Sequence, residues 1–449
     1  MDDNKKLSRR QFIRTLGLGS VSALGMMAFE PITSLASPKT PETGSKQNDM
    51  TYRINRHTKD KVSLLGFGMM RLPRNATGGI DQQKTNELVD YALAHGVNYF
   101  DTAPVYKGSE VATGNALSRH KRSSYYLASK CSDIHKYSLE DGKQMFKTTL
   151  ERLHTDYIDY YLLHAVGGGG LDKLKERFIN NGLLDWLCEQ RDKGVIRNLG
   201  FSYHGDVKVF DWLLDHNDKY KFTFCQIEMN YIDWKHASAT GGGWKHDADA
   251  VYLYEKSEKA GVQNVIMEPL LGGRLGKLPE EFSKMLKEKR PEASDAQWAF
   301  RWVGSHPNVL TTLSGMNLME HLKDNLATFS PLDPCTPQEN DLLDSIANGM
   351  MGYPVVPCTA CRYCMPCPYG VDIPGNFAYY NDQVNAHKLP DKTKPDYTEK
   401  KAAFVKGWKN TIKEENRADQ CMDCEACLPK CPQSIRIPTQ LANILDITR

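Results

Sequence analysis

The sequence predicts an α/β protein in which a (β/α)8 TIM barrel precedes a smaller, helix-rich, cysteine-rich domain. The length of 449 residues is enough for two or three domains. From Met50 to about Ala347, eight short runs rich in Val, Ile, Leu, Phe or Tyr alternate with longer amphipathic segments, as strands buried on both faces should. Eight of the 12 cysteines lie from Cys358 onward, which indicates a metal or cluster domain appended to the barrel.

The order of the predicted elements favours a closed barrel over a doubly wound sheet, because helices such as 82–95 and 143–153 separate successive strands. We place the barrel at 50–345 and the second domain at 346–449. The catalytic groups of such barrels lie at the C-terminal ends of the strands, so polar residues that close a strand are the first candidates. The strands are predicted over Val62–Gly68, Asn98–Asp101, Tyr125–Lys130, Tyr157–His164, Ile196–Ser202, Phe222–Met229, Val265–Glu268 and Val309–Ser314.

The composition excludes two classes of protein. Fifty-seven Lys and Arg against 55 Asp and Glu leave a net charge of +2, so no basic excess predicts a nucleic-acid partner. A mean hydropathy of −0.53, with one long apolar stretch near the N-terminus, excludes a polytopic membrane protein. We expect no stable membrane span in the mature chain.

Residues 1–36 predict an export signal. Arg9-Arg10 precedes the weakly apolar run Thr15–Phe29, and Ser34–Ala36 offers the small residues that a signal peptidase needs. The pattern resembles a twin-arginine signal, whose route carries folded cargo, and it places the mature protein in the periplasm. Residues 37–49, rich in Pro, Thr, Ser and Gly, are predicted to be a linker. A basic amphipathic start to a cytosolic protein is the alternative.

Four polar residues are predicted to meet at the barrel mouth. Asp101, Lys130 and His164 close three successive strands, and Tyr106 follows the first of these in its loop. We expect the Lys130 ammonium to lower the pKa of the Tyr106 phenol, and Asp101 to hold that lysine. His164 would orient a substrate carbonyl or join a proton relay. Each residue alone also fits a helix cap, a solvated lysine or a core histidine, but their joint placement favours catalysis.

These residues resemble the motifs of the aldo/keto reductase family. The matching segments are Asp-Thr-Ala-x-x-Tyr ending at Tyr106, Ser-Lys ending at Lys130, and Leu-Leu-His ending at His164, within a resemblance spanning Tyr52–Phe329. The resemblance implies a barrel that binds NADP(H) or NAD(H) and acts on a small carbonyl or alcohol substrate. The catalytic tetrad it implies is Asp101, Tyr106, Lys130 and His164.

The same resemblance implies a dinucleotide site along three segments of the chain. Ser202 and Gln226 would contact the nicotinamide amide, 270–275 would bind the pyrophosphate through backbone N–H groups, and 314–325 would bind the adenosine phosphate. The chain departs from the family pattern at Tyr203, Met267, Asn317 and His321. The cofactor-binding residues implied are Ser202, Gln226, Gly272, Gly273, Arg274, Leu275, Gly315, Asn317, His321, Asp324 and Asn325.

The second domain carries two cysteine runs, each built on a C-x2-C-x2-C triplet and closed by a Cys-Pro pair. Such a triplet places three thiolates around one [4Fe–4S] cluster, and the cysteine before proline typically ligates the partner cluster. A pair of zinc sites is the alternative, although zinc ribbons usually use separated C-x2-C pairs. The cysteines are Cys358, Cys361, Cys364 and Cys367 in the first run, and Cys421, Cys424, Cys427 and Cys431 in the second.

This pattern resembles a bacterial-type two-[4Fe–4S] ferredoxin with an insertion at 376–415. The resemblance assigns Cys358, Cys361, Cys364 and Cys431 to cluster one, and Cys421, Cys424, Cys427 and Cys367 to cluster two. The first run has two residues, not three, before its last cysteine. The insertion is expected to form helices that pack the cluster domain onto the barrel; its aromatic residues are Phe377, Tyr379, Tyr380, Phe404 and Trp408.

The sequence therefore predicts an exported oxidoreductase. Its barrel would carry out nicotinamide-dependent carbonyl reduction or alcohol oxidation, and its clusters would exchange electrons with a redox partner protein. An alternative is a non-catalytic barrel that serves as an electron-transfer or scaffold subunit of a partner enzyme. In a third hypothesis the enzyme is active and the clusters are purely structural, holding a lid over the barrel mouth.

Overall fold

The computed structural model describes residues 49–132, 138–237, 248–431, 433 and 435–449. The predicted signal at 1–36, and the predicted linker up to residue 48, lie outside these described residues. Among the helices that the structure describes, none is both long and apolar enough to cross a membrane.

Eight parallel strands close into a barrel in the order β10-β3-β4-β5-β6-β7-β8-β9, which confirms the predicted fold class. Helices follow most strands and cover the outside of the barrel, so the strands are buried on both faces. The barrel strands are β3 (Leu65–Gly68), β4 (Tyr99–Asp101), β5 (Tyr126–Cys131), β6 (Ile158–Val166), β7 (Ile196–Tyr203), β8 (Phe224–Glu228), β9 (Gln263–Met267) and β10 (Val309–Ser314).

The first predicted strand, Val62–Gly68, is two strands in the structure. Its first residues belong to β2 (Lys61–Ser63), which pairs antiparallel with β1 (Tyr52–Ile54) in a hairpin outside the barrel. Leu64 separates β2 from the barrel strand β3, and its N–H donates to the carbonyl of Thr51 at 2.8 Å. A run of apolar residues does not reveal this change of partner, which explains why the sequence predicted one strand.

The hairpin side of the barrel is filled by side chains. Tyr160 packs edge-to-face against Tyr99 and Phe224, with ring centroids 5.0 and 5.1 Å apart. The Tyr160 hydroxyl accepts a hydrogen bond from Asn55 Nδ2 at 3.2 Å, next to the hairpin. Polar side chains lie at the opposite end of the barrel, where the strands end.

Several helices begin at a residue whose side chain accepts one of the first N–H groups. Asp81, Ser138 and Ser294 each accept a backbone N–H at a helix start, and Thr336 forms a reciprocal capping box with Glu339. The α-helices are Gln82–Ala94, Ser109–Leu117, Leu139–Arg152, Gly170–Leu174, Leu183–Asp192, Val207–Asp215, Asn217–Tyr220, Asp233–His236, Ala250–Lys259, Glu280–Lys289, Asp295–Gly304, Met319–Phe329, Pro337–Met350, Ile373–Asn385, Tyr397–Thr411 and Ile437–Thr448.

The cluster domain has a hydrophobic core of its own. The helices Ile373–Asn385 and Tyr397–Thr411 form the predicted insertion, and the Trp408 indole donates to Asn376 Oδ1 at 2.9 Å between them. The insertion forms helices as expected, and most of its aromatic residues fill this second core. The residues buried there include Phe377, Tyr379, Phe404 and Trp408, whereas Tyr380 contacts both cores.

Contact between the insertion and the barrel comes from the end of the first helix. Val384 packs into the barrel's core, and the ring of His387 lies 3.0 Å from a carboxylate oxygen of Glu281 on helix Glu280–Lys289. The Tyr353 hydroxyl donates to the same carboxylate. The two domains thus share a polar contact at the side of the barrel.

Candidate active site

The tetrad residues come together as their strand positions predict. Asp101 ends β4, Lys130 lies near the end of β5, and His164 lies near the end of β6. Tyr106 reaches back from the loop between β4 and helix Ser109–Leu117. Asp101, Tyr106 and His164 line a cavity of about 590 Å³ at the barrel mouth, and Lys130 lies buried beneath it.

Lys130 and Asp101 form a buried ion pair. The Lys130 ammonium contacts Asp101 Oδ1 directly and donates a second hydrogen bond to the carbonyl of Thr102 at 3.0 Å. Burial raises the pKa of Asp101 and lowers that of Lys130, and the charge of each partner opposes the shift of the other. The lysine is therefore held by Asp101, as the sequence predicts.

The Tyr106 phenol keeps its proton in this site. The Lys130 ammonium lies 5.1 Å from the centre of the Tyr106 ring. Burial raises the pKa of Tyr106 well above 10, and the nearby Tyr363, Asp101 and Glu268 raise it further. The expectation of a lowered pKa is wrong, since burial dominates and only Arg71 is found to oppose it.

His164 is a neutral imidazole that packs edge-to-face on Tyr106, with ring centroids 6.0 Å apart. Burial lowers its pKa well below 6.5, and the positive charges of Lys130, His204 and Arg177 act in the same direction. Its Nδ1 shares a hydrogen bond of 2.5 Å with the Ser132 hydroxyl. Ser132, which fixes the ring, was not among the predicted site residues, although it lies two positions after Lys130 on the same strand end.

The cluster domain forms one wall of the cavity, a position that only the third hypothesis gave it, and its wall residues were not among the predicted site residues. Cys361 and Tyr363, from the first cysteine run, and Lys430 from the second line the same cavity as Tyr106. Because these residues are about 200 or more positions from the tetrad along the chain, no local pattern could have placed them there. The remaining wall residues from this domain are Thr359, Pro429 and Gln433.

Two carboxylates also line the cavity. Glu228 ends β8 and lies 3.2 Å from the His204 ring nitrogen Nδ1, and Glu268 follows β9 directly. Burial raises the pKa of Glu268, and the charge of Glu228 adds to this, while Arg71 opposes both. The rule that polar residues closing a strand are candidates would have found both carboxylates from the sequence.

The amide end of the implied dinucleotide site fits a nicotinamide. Gln226 is buried in the cavity wall, and its side-chain oxygen has no hydrogen-bond partner among the described residues. Ser202 lies on the neighbouring strand and its hydroxyl accepts the Ala165 N–H at 2.8 Å. Tyr203, by contrast, is buried against Phe210 and takes no part in the cavity.

The pyrophosphate segment does not fit a diphosphate in this arrangement. Gly272 and Gly273 have φ of 68° and 98°, which only glycine adopts readily. The Gly272 N–H, however, donates to Glu268 Oε2 at 2.7 Å. A Cβ on Gly272 would lie 2.3 Å from Thr359 Cα, so the cluster domain covers this loop.

The other residues implied for the dinucleotide are dispersed. Gly315 lines the cavity, but Asn317 and His321 are exposed and do not. Asp324 accepts hydrogen bonds from Ser294 and Gln297, both at 2.7 Å, and so joins two helices. The remaining three point elsewhere: Arg274 lies near Asp233, Leu275 is buried in the core, and Asn325 donates to the Ser314 hydroxyl at 2.9 Å.

The eight cysteines form two groups that match the implied ligand sets. Cys358, Cys361, Cys364 and Cys431 line one small cavity of the cluster domain. Cys367, Cys421, Cys424 and Cys427 line a second, which Cys364 also borders. Among the described residues, no three His, Cys, Asp or Glu side chains are placed to hold a single metal ion. The thiols instead surround a space, which fits a [4Fe–4S] cluster, a one-electron carrier, better than a zinc ion.

Comparison with known proteins agrees with both parts of the chain. Residues 64–348 match the model of the aldo/keto reductase family, and residues 357–435 match that of the 4Fe-4S dicluster domain. D-arabinose 1-dehydrogenase of Saccharomyces cerevisiae is 30% identical over 172 residues, or 36% of this chain and 49% of that protein. L-galactose dehydrogenase of Arabidopsis thaliana is 34% identical over 162 residues, or 34% of this chain and 49% of that protein. The chain thus spans about half the length of these two relatives.

Solved structures share the barrel. An aldo-keto reductase from Bacillus halodurans in its holo form is 24% identical with a TM-score of 0.52, and the match covers 66% of this chain and 96% of that one. An aldo-keto reductase from Klebsiella pneumoniae in complex with NADPH is 22% identical with a TM-score of 0.53, over 66% and 96% of the two chains. At these identities the likeness shows the fold alone.

Proposed function

Because the chain belongs to the aldo/keto reductase family and ends in a 4Fe-4S dicluster domain, we propose that it is an oxidoreductase that interconverts a carbonyl and an alcohol group. The observation that carries this proposal is the shared cavity. Asp101, Tyr106 and His164 face Cys361 and Tyr363 of the cluster domain across about 590 Å³. A small substrate in this cavity contacts both domains.

The tetrad supplies the proton chemistry of the reaction. The neutral Tyr106 phenol donates its proton to the substrate oxygen in reduction, and takes it back in alcohol oxidation. Neutral His164, held by Ser132, orients that oxygen without adding a charge. Lys130 and Asp101 form the rigid polar floor beneath Tyr106.

We propose a nicotinamide dinucleotide, NADP(H) or NAD(H), as the hydride carrier; when bound, it supplies or accepts the hydride at the substrate carbon. The NADPH-bound Klebsiella pneumoniae reductase supports this, as does the unpartnered Gln226 oxygen in the cavity wall. The diphosphate fits only after Thr359 has left Gly272.

We propose that two clusters exchange single electrons with a redox partner protein. The grouping of the cysteines into two sets of four supports the number two. Cys424 of the second set is exposed, and the nearby Met422 and Tyr369 are exposed by 66% and 48%, which leaves that side accessible to a partner.

We also propose export by the twin-arginine route to the periplasm. Arg9-Arg10, the apolar run that follows and the small residues at 34–36 support this location. A protein that acquires clusters in the cytoplasm must cross the membrane folded, which that route allows.

The test of the catalytic proposal is Tyr106→Phe, compared with the exposed Tyr252→Phe as a matched control. We expect Tyr106→Phe to lose about 10²- to 10⁴-fold in carbonyl reduction, the usual contribution of a general acid. The visible absorbance of the clusters should be the same in both variants. Unchanged turnover in Tyr106→Phe would contradict the proposal.

A second candidate function is an electron-transfer or scaffold subunit whose barrel does not catalyse. The contact between Thr359 and Gly272 favours it, as does Met267 in the cavity wall, where the chain departs from the family pattern. This candidate predicts that neither tyrosine variant nor the wild type turns over a carbonyl or an alcohol. It also predicts that the clusters are reduced reversibly in an electrode titration.

A further inference from the structure

One side chain joins the cluster domain to both loops implied in dinucleotide binding. Arg71, which follows β3, donates to the carbonyl of Thr359 at 2.7 Å and lies 3.3 Å from Glu268 Oε1. Its aliphatic part packs on Gly315, where an added Cβ would lie 3.3 Å from Arg71 Cβ. Arg71 therefore contacts the loops after β9 and β10 and the cluster domain at the same time.

The partner of Arg71 also occupies the phosphate-binding position. Glu268 Oε2 accepts the N–H of Gly272, one of the backbone donors that a diphosphate would use. A carboxylate at this position repels phosphate, and Glu228 adds a second negative charge to the cavity.

Thr359 closes the remaining side of the glycine loop. Its Cα lies 2.3 Å from the position that a Cβ on Gly272 would take, so the cluster domain covers that face of the glycine. Thr359 belongs to the segment 357–364, which we call the cluster-one loop because it carries Cys358, Cys361 and Cys364.

We propose that Arg71 and Glu268 determine cofactor access by holding the cluster-one loop in the diphosphate site, so that the seated loop and a bound dinucleotide exclude each other. This inference rests on the proposed function, since it concerns the nicotinamide dinucleotide of that same site. When the loop leaves, Arg71 loses Thr359 as a partner and its guanidinium becomes available to phosphate.

Mutual exclusion has a reciprocal consequence. A dinucleotide that binds only when the cluster-one loop is displaced must increase the population with a displaced loop. By linkage, any change that favours displacement of the loop must increase the affinity for the dinucleotide by the same factor. The form with Thr359 over Gly272 and the form that binds the dinucleotide are then two alternating states.

The experiment uses the cluster-loaded full chain, titrated with NADPH by fluorescence, with hydrogen exchange followed in peptides that cover 357–364. We expect weak binding to the wild type, and faster exchange of the loop when NADPH is added. Glu268→Ser should bind NADPH about tenfold more tightly, within the usual range of coupling between sites. Glu255→Ser, which removes an exposed carboxylate outside the cavity, is the matched control and should bind like the wild type.

The outcomes separate this inference from the function it rests on. NADPH binding that leaves loop exchange unchanged or slower, with Glu268→Ser no tighter than Glu255→Ser, overturns the mutual exclusion and leaves the proposed function in place. Failure of every variant to bind NADPH overturns both the inference and the nicotinamide dependence. The exchange measurement on the wild type stands even if Glu268→Ser loses its clusters.

Discussion

At the scale of single residues, burial sets the protonation of the site more than neighbouring charges do. Tyr106 is held as a phenol and His164 as a neutral imidazole, in both cases with desolvation as the largest cause of the pKa shift. Lys130, which carries the nearest positive charge, is neutralised by Asp101. Tyr106 can therefore donate its proton as a neutral phenol.

This protonation predicts a flat pH dependence. We expect the rate of carbonyl reduction at saturating substrate to change little between about pH 6 and pH 9, because Tyr106 titrates above this window and His164 below it. An inflection near pH 6.5 that Ser132→Ala shifts would contradict a neutral His164.

Unlike the rate, the free energy of unfolding should depend on the pH through His164. Because the unfolded state binds a proton at this histidine at a higher pH than the folded state does, unfolding becomes easier as the pH falls below 6.5.

The ion pair beneath Tyr106 gives a second prediction. Lys130→Met leaves Asp101 buried without its partner, and we expect a loss of about 3 to 5 kcal/mol in the free energy of unfolding. The double variant with Asp101→Leu should regain part of this loss, because it removes the uncompensated carboxylate. Urea unfolding, followed by tryptophan fluorescence, measures the free energy of unfolding of both variants. Equal values for the single and the double variant would show that the pair is not coupled.

The residues that could be predicted from the sequence are those whose role follows from one strand end. Asp101, Lys130 and His164 close neighbouring strands, and parallel strands bring such positions to one edge. Arg71 and Thr359 could not be predicted, because their roles depend on a contact between segments 288 positions apart. The dinucleotide residues were predicted by resemblance, and this chain uses Asp324 to join helices instead.

At the scale of elements, strand positions follow the apolar pattern closely, since a strand buried on both faces is limited at each end by the first polar or turn residue. β7 and β10 begin where the sequence predicts them. The hairpin β1–β2 was missed because Lys61–Ser63 is continuous in sequence with β3. The apolar pattern predicts a strand rather than a helix at Lys61–Ser63, but it does not show which strand pairs with it.

The helix Pro337–Met350 connects the barrel to the cluster domain, and its first turn is held by charge. Glu339 pairs with Arg301 at 2.9 Å and Arg290 at 2.7 Å, and it closes the capping box with Thr336. These contacts lower the pKa of Glu339 from 4.5 to about 2. The carboxylate is largely buried, so the contacts act in a poorly solvated setting.

This helix start predicts an acid-dependent stability. With solvent screening the shift corresponds to roughly 1 to 2 kcal/mol, which is fully present above pH 4.5 and is lost as the pH falls towards 2. Glu339→Gln should therefore be less stable than the wild type in urea at pH 7, and the difference should shrink between pH 4.5 and 3. Asp341→Asn, at an exposed position of the same helix, is the control and should show neither effect.

At the scale of the whole molecule, the cluster domain both carries its thiols and shapes the active site. Its second core, built largely on the insertion helices, holds the two cysteine runs together, while Tyr363 and Lys430 complete the barrel's cavity. The sequence predicted the two domains, and a cluster domain over the barrel mouth was one of three hypotheses, but the residues that make the contact could not be predicted. That arrangement is set by contacts such as His387 with Glu281, which leave no periodic pattern in the sequence.

The crossing of the two cysteine runs gives a prediction for the assembled protein. One cavity combines three cysteines of the first run with Cys431, and the other combines three cysteines of the second run with Cys367 and borders Cys364. The wild type should contain about eight iron atoms, and Cys361→Ser and Cys431→Ser should each lose about half of them. Since both residues line the same cavity, the double variant should lose no more iron than either single variant, and the EPR signal of the other cluster should persist. Cys427→Ser combined with Cys367→Ser should behave likewise for the second cluster. Loss of nearly all iron from the Cys361 and Cys431 double variant, with each single variant losing half, would instead place those two ligands on different clusters.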